Sequence, residues 1–175
     1  MAKCLRREGS GLKQWIRDHA IVLTLLLVLS LMILIFSFSA QPAEESDDTS
    51  RFFVTLILKI LVPDSDSLDP EAKWELEHKV SFVVRKTAHL TEYAVLGFAL
   101  LLHVMALQLK LKIRFPGLSA FLVGMLYAVS DEVHQLFVPG RSGEGKDVLL
   151  DSVGVLLGVI FLSWLRTLRV KRRRS

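Results

Sequence analysis

The stretch that decides the fold is SDEVHQLFVPGRSGEGKD, running from Ser130 to Asp147. It follows one long apolar run and opens directly into another, and between them it crowds acids, a histidine, an arginine and a lysine. Charge at that density is costly in hydrocarbon, so between two membrane-like segments it marks a wet cavity or a working site. Composition agrees with a small membrane protein, because 51% of the 175 residues are hydrophobic, which is greasy for an ordinary soluble domain. The net charge of +4 does not point to nucleic acid, because the basic residues sit at the edges of apolar runs rather than in a patch among aromatics. No nucleic-acid partner is expected. The single cysteine, Cys4, allows no intrachain disulfide and reads as a reduced cytosolic thiol.

Upstream, residues 1–20 carry Lys3, Arg6, Arg7, Lys13 and Arg17 against Glu8 and Asp18, the pattern of a cytoplasmic flank. Residues 21–38 have no charge and are long enough to cross a hydrocarbon core of about 30 Å as a helix. The rival is a signal peptide cut near Ser39, but the run exceeds the usual apolar region of about 7–15 residues, so a retained anchor is expected. Residues 39–79 form a polar excursion with ten acidic and four basic residues. Within it, 52–62 is apolar except for Thr55 and Lys59. Eleven residues of helix reach only about 16 Å, so an interfacial amphipathic or re-entrant helix is expected there, ended by Pro63. A helix-start signal follows at Asp69-Pro70, and the helix from Glu71 should run into a second span at 87–109.

The loop Lys110 to Arg114 and the Pro116-Gly117 break lead into a third span at 115–138, and a fourth is expected at 148–165. The tail, 166–175, is strongly basic. The expected architecture is therefore all-α: a four-helix transmembrane bundle, residues 21–165, with an extracytoplasmic insertion between spans one and two. The N-terminal flank, the loop between spans two and three, and the tail hold fourteen of the twenty-two lysines and arginines. Four crossings put all three on one side, which the positive-inside rule makes the cytoplasm. Both termini are then cytoplasmic in the cell membrane. The tail reads as an anchor to anionic lipid rather than a nucleic-acid arm.

This topology brings two distant stretches to the same outer depth. In RKTAHLTEY (85–93), Arg85, His89, Glu92 and Leu96 share one helical stripe, with Tyr93 at its edge. In the second stretch Tyr127, Asp131, His134 and Gln135 share a face, with Glu132 to the side. After the Pro139-Gly140 turn come Arg141 and then Asp147 and Asp151, one turn apart at the start of span four, where a helix N-terminus favours carboxylates. Arg85 and Lys86 alone would read as interfacial snorkelling, and the two aspartates as caps. Convergence of two histidines, several carboxylates and an arginine at one bilayer depth favours a functional site. His103 stands alone near the inner half of span two and reads as structural. Gly154 and Gly158 read as a close helix contact, intramolecular in preference to a dimer face.

The motifs RKTAHLTEY (85–93), SDEVHQLFVPGR (130–141) and DVLLDSVG (147–154) together resemble the VanZ-like family of small bacterial membrane proteins. That family's pattern is R-K-x-x-H-x-x-E-Y, then D-E-x-x-Q-x-F-x-x-x-R, then D-x-x-x-D/N-x-x-G. Ser39-Ala-Gln-Pro42 is also similar to the S-S-Q that follows the first span there. The resemblance covers residues from about 30 to 165. It implies a four-span membrane protein and a link to resistance against the glycopeptide antibiotic teicoplanin, and it carries no settled reaction.

Two functions compete. In the first, His89, Glu92, Asp131, Glu132 and His134 do acid–base work, while Arg85, Lys86, Tyr93, Gln135, Arg141, Asp147 and Asp151 hold the substrate. The substrate is an envelope lipid or lipid-linked cell-wall precursor, and the reaction is hydrolysis or group transfer. In the second, the same residues bind or shield such a precursor without changing it and so confer tolerance to teicoplanin-type glycopeptides. No cofactor or metal is assigned, since the spacing matches no metal signature. A zinc or manganese version using His89, Glu92, Asp131 and His134 stays open. Transport is disfavoured, because spans one and four show neither midplane charge nor a broken-helix pair. The oligomeric state is not legible.

Overall fold

The computed structural model describes residues 2–141 and 143–172, and their side chains except those of 2–13, 16, 43–45, 47–49, 66 and 109. The basic residues Lys3, Arg6, Arg7 and Lys13 and the end of the tail, 173–175, lie outside the described side chains. The described chain is all-α: α1 (Ala2–Ser39), α2 (Ala43–Leu61), α3 (Pro70–Leu111), α4 (Pro116–Gln135) and α5 (Gly145–Arg172), with a short 3-10 turn at Pro63–Ser67.

Local chemistry sets most of these ends. Asp69 caps α3, its carboxylate accepting from the N–H groups of Glu71 and Ala72 at 3.1 Å each, with Pro70 in the first helical position. At the other end, Lys112 takes a left-handed conformation, φ 51°, which stops the helix. Pro116 then opens α4. The mixed polar and apolar segment 70–86, the apolar run 87–109 and Lys110-Leu111 form one helix of 42 residues, about 63 Å long, so α3 projects well beyond a hydrocarbon core.

Among the described residues, three helices are long and apolar enough to cross a membrane: Arg17–Ser39 within α1, Pro70–Gln108 within α3, and α5. The chain is a multi-pass membrane protein. The expected third span, α4, falls outside this set, because Asp131, Glu132, His134 and Gln135 fill its end. The polar residues that make it interesting are the ones that dilute its apolarity.

The 39–79 segment differs from expectation in the length of its helix. Its helix starts at Ala43 behind Pro42, rather than near Phe52, so it is 19 residues long and includes the acidic 44–48 segment. Helix-permissive residues there let the apolar half extend backwards. Ser50, Val54 and Leu58 are buried at successive i+4 positions, with Ser50 Oγ 3.2 Å from Ser81 Oγ on α3. Phe52, Ile60 and Leu61 point outward, each more than 65% exposed. An apolar face left out of the core suits an interfacial helix.

At the centre, α3 packs on all four other helices, most extensively on α5. Glycines make that approach possible. A Cβ on Gly158 would strike the Ala94 carbonyl oxygen and lie 2.7 Å from the Phe98 nitrogen, and one on Gly154 would lie 2.6 Å from the Leu90 carbonyl oxygen. From the facing side, a Cβ on Gly97 would collide with the Val155 carbonyl. The Gly154/Gly158 pair is thus an intramolecular contact, as expected. Tyr93, Leu96, Ala128, Val155 and Ile35 close the core around it. At the other end of the bundle, Asp18 pairs with Lys110 at 2.8 Å and Thr24 Oγ1 lies 3.0 Å from His103 Nδ1. His103 is therefore a link between α1 and α3, in keeping with its structural reading.

Candidate functional site

One turn of α3 per contact point carries Lys86, His89 and Tyr93 toward α5, and one turn of α5 separates Asp147 from Asp151. The glycine-mediated approach brings these two ladders together. Lys86 Nζ forms an ion pair with Asp147 Oδ1. One turn deeper, His89 Nδ1 is 3.9 Å from Asp151 Oδ1. Asp131 enters from α4, with a ligand oxygen within 4.8 Å of atoms from His89 and Asp151. Both aspartates are almost wholly buried, and Tyr93 is fully buried beneath them.

Above this level lies a polar cavity of about 260 Å³, lined by Arg85, Lys86, His89, Arg141, Asp147 and Asp151 among others. Glu132 and Gln135 also reach its wall. Both are held by local bonds. A Glu132 carboxylate oxygen accepts from the backbone N–H of Glu144 at 2.9 Å, just ahead of α5, where the helix N-terminus favours an anion. Gln135 Nε2 donates to Ser39 Oγ at 2.9 Å and lies 3.4 Å from Asp131 Oδ2.

A second cavity of about 220 Å³ adjoins the first and shares Arg85, His89 and Arg141 with it. Phe38, Phe53, Val84 and Ala88 give it an apolar wall, and Glu92 faces it. The expected stripe of α3 is therefore split: Arg85 and His89 reach both spaces, while Glu92 turns to the apolar one.

The α4 face behaves differently from its expectation. Tyr127 Oη donates to the Met32 carbonyl at 2.6 Å, and His134 stacks on Phe36, ring centroids 4.4 Å apart. With Gln135 on Ser39, three of the four stripe residues look at α1, and only Asp131 reaches the centre. His134 lines neither cavity, so the structure does not bring it to His89.

Arg141 comes from the turn after α4. Val138 to Arg141 closes with an Arg141 N–H to Val138 carbonyl bond of 3.2 Å, with Pro139 second and Gly140 third at φ 74°. That conformation strains any residue with a Cβ, so glycine is required. The turn sends the guanidinium to the α1–α2 elbow, where Nε donates to the Gln41 carbonyl at 2.8 Å and Nη2 to that of Phe38 at 3.2 Å. Ser39 and the elbow were missed as site residues. Their signal was present in Ser39-Ala-Gln-Pro42, which the family resemblance had already picked out.

The assembled site can hold an anion among Arg85, Lys86 and Arg141 and move a proton at His89, and it offers an imidazole and two carboxylates to a cation. No curated protein and no solved structure matches the chain. A family model described as VanZ/LLP1 matches residues 24–166, a range that includes the elbow and every residue placed in the site. The chain belongs to the VanZ/LLP1 family.

Proposed function

We propose that this VanZ-like membrane protein takes an amphiphilic anionic molecule of the cell envelope, a membrane lipid or lipid-linked cell-wall precursor, and hydrolyses it or transfers a group on it. The observation that carries this reading is the junction of a polar and an apolar cavity at Arg85, His89 and Arg141. A headgroup phosphate fits the first and the start of its hydrocarbon chain the second, which leaves the bond between them beside His89. There the imidazole takes a proton from the attacking hydroxyl or gives one to the leaving oxygen. Arg85 and Lys86 offset the anion's charge. Asp131 and Asp151 act from below, and Glu92 on the chain side.

The same reading makes α4 a fourth crossing, with both termini cytoplasmic and the cavities open to the outside. In support, Leu118, Leu122, Leu126, Val129 and Val133 are all exposed at spacings of three and four, the stripe expected of a helix that faces lipid. Twenty residues of helix span about 30 Å, enough for one crossing. The flanking lysine and arginine counts give the direction.

The test compares lipid extracts, by mass spectrometry, from cells carrying the wild-type chain and His89→Ala. One lipid or lipid-linked species should accumulate in the variant. Unchanged extracts, with a lipid that copurifies with wild type and not with the variant, would favour holding or shielding without chemistry. Unchanged extracts and no copurifying lipid would sink both.

A further inference from the structure

Below the polar cavity three side chains from three helices converge: His89 of α3, Asp131 of α4 and Asp151 of α5. One donor atom from each lies within 4.8 Å of the other two, the one such group among the described residues. Proximity alone proves little, since acidic clusters are common. The bonding is more telling. Asp131 is 2% and Asp151 1% exposed, yet Asp131 Oδ1 and Asp151 Oδ2 have no hydrogen-bond partner among the described residues. The His89 to Asp151 separation of 3.9 Å is too long for a hydrogen bond. The buried Tyr93 hydroxyl faces both carboxylates, Asp131 nearest, without a well-formed hydrogen bond to either.

Two carboxylates buried side by side call for a countercharge. Lys86 is engaged with Asp147, and Arg141 with the carbonyls of Phe38 and Gln41. We propose that His89, Asp131 and Asp151 ligate a divalent cation of the zinc or manganese class. One imidazole nitrogen and two carboxylates suit those ions better than calcium or magnesium, which take oxygen donors. A doubly charged ion, two carboxylates and a neutral imidazole sum to zero charge, the favourable outcome at low dielectric.

Bond lengths of about 2.0–2.2 Å require the donors to close in by about an ångström, within the reach of side-chain rotation. Tyr93 is placed to donate a hydrogen bond to a ligating carboxylate. His89 and Asp151 also line the polar cavity, so the ion's remaining positions open toward an anionic oxygen held there. Asp151 takes the place of Glu92 and His134 in the set of donors that the sequence left open. Binding of the ion stands on these residues alone; its use on a lipid headgroup rests on the proposed function, with the ion activating water in place of the proton transfer at His89, whose imidazole is then a ligand.

The test uses the full chain in detergent micelles, stripped with EDTA and titrated with Co²⁺ and Mn²⁺. Wild type should bind one equivalent, with visible cobalt d–d absorption. Asp131→Asn and Asp151→Asn should bind at least about tenfold more weakly, with helical content unchanged by circular dichroism, while Glu75→Gln, at an exposed carboxylate paired with Lys79, keeps wild-type affinity. Cobalt-loaded His89→Cys should gain a thiolate-to-cobalt charge-transfer band, which only direct ligation produces, so this variant decides even where an asparagine variant unfolds. Absence of stoichiometric binding by wild type overturns the proposal. So does binding that is indifferent to both asparagine substitutions and gives no such band. Neither result touches the lipid comparison, so the two readings fail separately.

Discussion

Arg141 Nε donates to the backbone carbonyl of Gln41 at 2.8 Å, across a hundred residues of sequence. With Nη2 on Phe38, the guanidinium ties the turn after α4 to the elbow between α1 and α2. It also lines both cavities. A residue expected to clamp an anion therefore also holds the wall against which the anion would sit.

Arg141→Lys should accordingly cost stability as well as function. A lysine is a point charge without the planar fork, and it cannot serve two carbonyls in that geometry. Losing one hydrogen bond from a charged donor costs about 1.5–3 kcal/mol. Thermal unfolding in detergent should show a lowered Tm for Arg141→Lys and for Gly140→Ala, which disturbs the turn that aims the arginine. An unchanged Tm with weakened substrate binding would mean that the clamp, not the tether, is what the side chain contributes.

Gly158→Ala should be among the most damaging small substitutions in the chain. The added methyl meets the Ala94 carbonyl and the Phe98 nitrogen, backbone atoms that cannot rotate away, so α3 and α5 must separate. Overpacking of this kind costs about 1–3 kcal/mol or more. Separation would also pull Asp151 from His89. Gly145→Ala, where nothing lies within 4 Å of the new atom, is the matched control and should leave Tm unchanged. Equal behaviour of the two variants would show that close α3–α5 contact does not hold the bundle together.

Much of the site was legible because helical period is written in sequence. Arg85 and His89, four apart, do share a face, and so do Asp147 and Asp151. What period cannot say is which neighbour a face meets. On α4 the stripe of Tyr127, Asp131, His134 and Gln135 was a sound reading of geometry, but packing turned most of it toward Met32, Phe36 and Ser39 of α1. Glu132, off that stripe, reached the cavity wall beside Gln135. The length of α2 was hidden for a related reason. Its first turns are polar, and only burial of Ser50 against α3 reveals that the helix is already formed there.

Lys86 and Asp147 should show measurable coupling. The pair joins α3 to α5 one turn above His89 and Asp151, with side chains 30% and 20% exposed, so solvent screens it less than a surface pair. A double-mutant cycle with Lys86→Met and Asp147→Asn should return an interaction of about 1–2 kcal/mol. It should persist when salt is raised from low to physiological strength. A coupling near zero would assign the pair to the ordinary class of exposed ion pairs.

Orientation yields the sharpest test of the membrane reading. Leu68, exposed in the connection before α3, and Leu111, exposed at its far end, bracket a helix that contains one crossing. In a Cys4→Ser background, Leu68→Cys should react with an impermeant maleimide on intact cells, and Leu111→Cys only after permeabilisation. The argument is electrostatic: positive flanks stay in the cytoplasm, and Lys110, Lys112 and Arg114 lie at the Leu111 end. The polar cavity lies near the middle of α3, beside Arg85 and His89, on the Leu68 side of the apolar run 87–109. Reversed labelling would place that cavity in the cytoplasm, and the substrate would then have to be sought among lipids of the inner leaflet.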